Sequence, residues 1–159
     1  MLHYACITDG APADWQVHSQ ATRQGRVRLE GALHRPLAAE DVGPHDVGVG
    51  EPLLEVAELL GAPVMTTLQG KSGMPEDHPL SAGTGGYAQT PMVQHILRES
   101  DVLLVVGSSL SRTDFTPEVP DGKVIIHATN DPLDLNKTHW TAVPILSDAR
   151  LFLAALAEE

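Results

Sequence analysis

The stretch RESDVLLVVGSSLSR, residues 98–112, decides the fold. Val102, Leu103, Leu104, Val105 and Val106 form an uninterrupted apolar run rich in β-branched side chains, bounded by Asp101 before it and Gly107 after it. An apolar run without alternation suits a strand covered on both faces, as in the centre of a parallel sheet flanked by helices.

Working outward, helical and strand patterns alternate, the signature of βαβ units. Upstream, Thr90 as N-cap and Pro91 in the first turn predict a helix through Glu99, with Val93, Ile96 and Leu97 on its inner face. Further upstream, Leu53, Val56, Ala57 and Leu60 stand at helical spacing between Pro52 and Gly61. APVMTTL, residues 62–68, then reads as a strand, and residues 69–89, with five glycines, read as one long loop in which Gly83, Thr84, Gly85 and Gly86 form a turn. Downstream, KVIIHA (123–128) and TAVPIL (141–146) read as strands. Pro144 cannot donate to a ladder and pushes the latter toward an edge. Ser147 or Asp148 caps a last helix carrying Phe152, Leu153 and Leu156. Residues 1–50 show no sustained period of 2 or 3.6 beyond a possible short strand at 37–39. The expected fold class is therefore α/β: a Rossmann-like parallel sheet with helices on both faces.

Composition narrows the partners. With 159 residues, 42% of them apolar, the chain suits one domain with a sizeable core. A net charge of -11 argues against nucleic acid or an anionic membrane as partner. The single cysteine, Cys6, excludes an intrachain disulfide, and the eight histidines have no zinc-site spacing. No apolar run approaches the roughly 20 residues of a membrane span, so a cytoplasmic location is expected.

Chemistry is expected where the central strand ends, since ligands of open parallel sheets bind beyond the carboxyl ends of the strands. Gly107, Ser108 and Ser109 would let backbone amides approach an anion there, and Arg112 would grip a phosphate or carboxylate; equally, Gly-Ser-Ser turns the chain off a buried strand. Asn130 and Asp131, after KVIIHA, stand where α/β folds place an acid for a ribose hydroxyl, and Asn-Asp-Pro is also ordinary turn chemistry. Lys71, Glu76, Asp77 and His78 form a polar cluster that would serve acid–base work if gathered in a cleft, or a solvated loop if not. No nucleophile elbow, zinc-protease helix or kinase motif set occurs in the sequence.

Over residues 51–156, about two thirds of the chain, the sequence resembles the central domain of the thiamine-diphosphate-dependent family of acetolactate synthase, pyruvate oxidase and benzoylformate decarboxylase. LLEVAELLGAPVMTTLQGKSGMPEDHPLSAG (53–83) resembles that family's first helix, strand and Gly-Lys-Gly loop, with Gly70, Lys71, Gly73, Pro75, Glu76, His78, Pro79 and Gly83 matching. RESDVLLVVGSSLSR, KVIIHATNDPLDLNK (123–137) and SDARLFLAAL (147–156) follow in the family's order.

The resemblance implies a six-stranded domain at 35–159, preceded by an N-terminal segment at 1–34. It implies thiamine diphosphate (thiamine pyrophosphate) and magnesium held by partner pyrimidine- and pyrophosphate-binding domains, whose Gly-Asp-Gly motif is absent from this sequence. It also implies FAD or an adenine nucleotide at Gly107, Ser108, Ser109, Arg112, Asn130 and Asp131 in some members, and homo-oligomers. Where the family carries Arg-Pro-aliphatic-aliphatic and then glycines, this chain has Arg35-Pro36-Leu37-Ala38-Ala39-Glu40-Asp41. The expected role is a central-domain fragment or separately encoded subunit without turnover of its own, with no catalytic or metal-ligating residue assigned. The alternatives are an autonomous FAD- or nucleotide-binding module, or a small hydrolase or transferase built on Lys71, Glu76 and His78.

Overall fold

The computed structural model describes residues 49–71, 73–86, 90–113 and 116–159, together with the backbone of 3–7. The expected strand at 37–39 and the charges at Glu40 and Asp41 lie outside the described residues, as does most of the expected boundary region around residue 35.

The described elements run in the order β1 (His3–Ile7), α1 (Gly50–Leu60), β2 (Val64–Thr66), β3 (Ser81–Thr84), α2 (Pro91–Glu99), β4 (Val102–Val106), β5 (Val124–Thr129), β6 (Val143–Leu146) and α3 (Ala149–Ala157). The six strands form one sheet in the order β3-β2-β1-β4-β5-β6. The pairs β2–β3, β4–β5 and β5–β6 are parallel, as the alternating pattern requires. β1 runs antiparallel to both of its neighbours, with Ala5 opposite Val64 on one side and Leu104 on the other. This strand, in the middle of the sheet, was not legible in the sequence.

Successive residues of β4 serve opposite faces of the sheet. Leu104 and Val106 belong to a core with Leu53, Val56, Phe152 and Leu153 of α1 and α3. Leu103 and Val105 belong to a second core with Val93, Ile96 and Leu97 of α2. Burial of β4 on both faces is the physical reason its sequence carries no polar alternation.

Local signals place the helix ends. Thr90 Oγ1 accepts a hydrogen bond from the Val93 amide at 3.3 Å, with Pro91 in the first turn of α2. Lys123 Nζ donates to the carbonyls of Ser100 and Arg98, satisfying acceptors left over at the other end of that helix. Gly61 closes α1 at φ +60°, the left-handed conformation in which a side chain would be strained. Between the two expected caps of α3 the structure chooses Asp148, whose Oδ1 accepts from the amides of Arg150 and Leu151, both at 3.0 Å; such a cap contributes about 1 kcal/mol.

Residues 69–89 are not a single loop, because Ser81–Thr84 pairs with β2 as β3. Gly83 and Thr84 therefore lie in a strand and not in a turn, and the Gly85 amide continues the contact by donating to Thr66 O at 2.7 Å. SAGT has too little side chain to announce a strand; its pairing with β2 makes it one. β6 is an edge strand, and Pro144 in it is exposed, as a residue without an N–H demands.

Candidate functional site at the ends of the central strands

The parallel pair β4–β5 brings the carboxyl ends of two strands side by side, with Val106 opposite Ala128. Gly107, Ser108 and Ser109 therefore emerge next to Asn130 and Asp131. Gly107 turns the chain at φ +65°, and its amide donates to Ala128 O at 2.8 Å. Leu110 holds φ +46° although it has a side chain, a conformation that costs on the order of 1–3 kcal/mol and persists only where its surroundings enforce it. Two of those surroundings are visible: the Leu110 side chain is buried in the core on the α2 side, and its amide donates to Ser108 Oγ at 3.0 Å.

Beneath this turn lies His127, on β5 and wholly buried. Its Nε2 is 2.6 Å from the Ser108 carbonyl oxygen. A carbonyl only accepts, so Nε2 carries the proton and Nδ1 is a bare acceptor. No described residue donates to Nδ1, an omission that costs roughly 1–3 kcal/mol. Burial lowers the His127 pKa below the usual histidine value; the Ser108 carbonyl and the Asp134 carboxylate pull the other way but do not prevail. The unfolded chain therefore binds a proton at higher pH than the folded one does. The stabilisation from this neutral buried ring is complete above about pH 6.5 and is lost as pH falls below it, toward the depressed folded value. Urea unfolding followed from pH 7.5 downward is expected to show stability falling below about pH 6.5, with a shallower fall in His127→Gln.

Above the turn a cavity of about 340 Å³ opens. Leu110 and Val119, both buried, line its apolar part, and Arg112, Thr116, Glu118 and His139 supply polar groups. Arg112 Nη2 lies 4.0 Å from Glu118 Oε1 with both side chains mostly exposed, a contact worth little in water, so the guanidinium keeps its capacity for another anion. Thr116 is committed to its own loop: Oγ1 accepts from the Thr113 amide at 2.9 Å and lies 3.0 Å from the carbonyls of Ser111 and Thr113. The His139 pKa is lowered by burial first and then by the positive Arg112, against the opposing pull of Asp121. A neutral His139 leaves Arg112 as the positive side chain of the wall.

The six residues expected to form a site thus gather at one end of the sheet, yet only Arg112 among them lines the cavity. Asn130 and Asp131 are exposed. Asp131 makes turn contacts, its Oδ1 accepting from the Leu133 amide at 2.9 Å and its own amide donating to Thr129 Oγ1 at 3.2 Å. The other polar cluster does not assemble around one point. Lys71 faces Glu76 at 3.6 Å on the surface. His78 accepts at Nδ1 from the Leu80 amide and directs Nε2 to Glu58 of α1, both at 3.2 Å, which ties the loop to the helix.

Sequence reasoning missed His127, Glu118 and His139. His139 lies 27 positions after Arg112 by residue number, and only the β5–β6 connection brings the two together. Among the described residues no group of three or more His, Cys, Asp or Glu side chains could hold a metal ion, and no helix is long and apolar enough to cross a membrane. The described residues offer no donor set that fits a magnesium–diphosphate site.

Comparison with known proteins agrees with this architecture. A family profile described as "Thiamine pyrophosphate enzyme, central domain" matches residues 32–156. The chain is 35% identical over 135 residues to the "Probable acetolactate synthase large subunit" of Methanococcus aeolicus, covering 84% of this chain and 22% of that protein. It is 35% identical over 144 residues to the acetolactate synthase large subunit of Corynebacterium glutamicum, covering 89% and 23%. A "Probable 2-ketoarginine decarboxylase" of Pseudomonas aeruginosa is 34% identical over 139 residues, covering 87% and 24%. Among solved structures, one from Mycobacterium smegmatis described as a thiamin diphosphate-dependent enzyme superposes with a TM-score of 0.55 at 28% identity, over 70% of this chain and 22% of that one. The chain spans less than a quarter of the length of each of these relatives. On sequence and fold together, this chain belongs to the thiamine pyrophosphate enzyme family and corresponds to its central domain.

Proposed function

We propose that the chain is the structural, non-catalytic central unit of an acetolactate synthase-like enzyme, as a fragment or a split subunit over residues 35–159, and works in the cytoplasm with pyrimidine- and pyrophosphate-binding domains and in homo-oligomers. Thiamine diphosphate and magnesium belong to those partner domains and supply the carbon–carbon bond chemistry there. The observation that carries this reading is the match to the family's central domain in a chain spanning about 22% of its Methanococcus relative. Trp140 and Leu133, 82% and 79% exposed in the β5–β6 connection, are the apolar side chains most suited to meet such partners.

The cavity at Arg112 supports a second element of the proposal, a nucleotide ligand such as FAD or an adenosine diphosphate moiety. Arg112 would hold a phosphate, the turn at Gly107, Ser108 and Ser109 would present backbone to it, and Asn130 and Asp131 would reach toward a ribose. An autonomous nucleotide-binding module rests on the same observation. Thermal unfolding with FAD, ADP and coenzyme A checks both. The expected result is a raised midpoint with one of them, corresponding to about 2.7 kcal/mol at a hundredfold excess over Kd, and affinity about tenfold weaker in Arg112→Ala. An unchanged midpoint with all three would remove the nucleotide element and leave the structural role.

A further inference from the structure

We propose that His127 is a positioning residue: by donating Nε2–H to the Ser108 carbonyl, it holds the turn at residues 107–110 in the shape that forms the inner wall of the Arg112 cavity. Ligand binding in the cavity rests on the proposed nucleotide function; the role of His127 in shaping the turn does not.

Three features point the same way. The turn is bracketed by two left-handed residues, Gly107 at φ +65° and Leu110 at φ +46°, and the second of these is unfavourable without outside support. Ser108 is the common node, because its hydroxyl accepts from the Leu110 amide and its carbonyl accepts from His127. His127 also stands among apolar side chains on the α2 side of the sheet, where its strand neighbour Ile125 packs in the core. An aliphatic side chain there would leave no unpaired Nδ1. Among the described residues the one hydrogen bond of this buried ring is the 2.6 Å bond to the turn, so the turn is what the histidine serves. Leu110 passes the effect on, since it belongs both to the buried core and to the cavity wall.

Amide hydrogen exchange on the full chain, read residue by residue, tests this in His127→Leu and His127→Gln. Leucine removes the donor. Glutamine keeps an N–H at nearly the reach of Nε2. Exchange at the Leu110 amide is expected to speed up at least about tenfold in His127→Leu while Leu104 and Ile126 stay within about twofold, and to return near the original rate in His127→Gln. If His127→Leu does not fold, His127→Asn, too short to reach Ser108, takes its place with the same readout. Unchanged exchange at Leu110, equal acceleration at all three amides, or unfolding of both His127→Leu and His127→Asn would overturn the proposal. ADP titrated into the same samples judges the cavity separately. No ADP response in the unsubstituted protein would count against the nucleotide reading alone, whereas the expected result is a response weakened about tenfold by leucine and restored by glutamine.

Discussion

Replacement of Ala5 by proline is expected to abolish the cooperative unfolding transition of this chain. β1 is the one described strand joining β3-β2 to β4-β5-β6, because β2 and β4 pair with β1 and not with each other. Ala5 sits at the middle of it, opposite Val64 and Leu104. Proline removes an N–H and fixes φ near −65°, and within a paired central strand it loses a ladder bond it cannot replace. The ladder acceptor left unpaired costs about 1–3 kcal/mol and the fixed φ adds to that cost, which against a typical total stability of about 5–15 kcal/mol is large enough to open the sheet between its two halves. The chain supplies its own comparison, since Pro144 is accommodated in β6 at the sheet edge. Circular dichroism during urea titration checks the expectation; a sharp transition at an unchanged midpoint would show that β1 is not needed to join the halves.

The second large effect is expected at Phe152. It is 1% exposed and belongs to the core shared by α3, α1 and the sheet. Phe152→Ala removes an aromatic ring from a closely packed region and leaves a hole that neighbours fill only in part, at about 3–5 kcal/mol. Arg150→Ala, an exposed change on the same helix, is expected to stay within about 0.5 kcal/mol. Urea midpoints at equal m-value measure the difference, and similar values for the two variants would mean that α3 does not dock as described.

What the sequence disclosed and what it concealed follow from where the information lies. α2 was legible to its caps because Thr90, Pro91 and the spacing of Val93, Ile96 and Leu97 are local signals. β4 was legible because burial on both faces writes itself into five consecutive aliphatic residues. β3 was not, because SAGT is a strand only through its neighbour β2. β1 was not, because HYACI has neither strict alternation nor a continuous aliphatic run, and its antiparallel direction depends on pairing with residues far along the chain. The site divides in the same way. Arg112 was legible as a candidate because it follows the central strand directly, and it lines the cavity. His127 looked like one more strand residue until the register of β5 against β4 placed it under Ser108. The turn-chemistry reading of Asp131 is visible in its bond to the Leu133 amide, while its part in any ribose contact belongs to the proposal.

The charge pattern fits a role in which this unit scaffolds others' chemistry. The cavity at the strand ends offers one arginine, one glutamate and a histidine whose burial favours the neutral form. Such a wall can hold and orient an anion. The proposed function places the magnesium–diphosphate chemistry of the family in the partner domains.

Isothermal titration of thiamine diphosphate with magnesium into the purified chain tests that assignment most directly. Heats equal to those of dilution are expected if the cofactor's site is built by other domains, as proposed. Saturable, magnesium-dependent binding to this chain alone would contradict it.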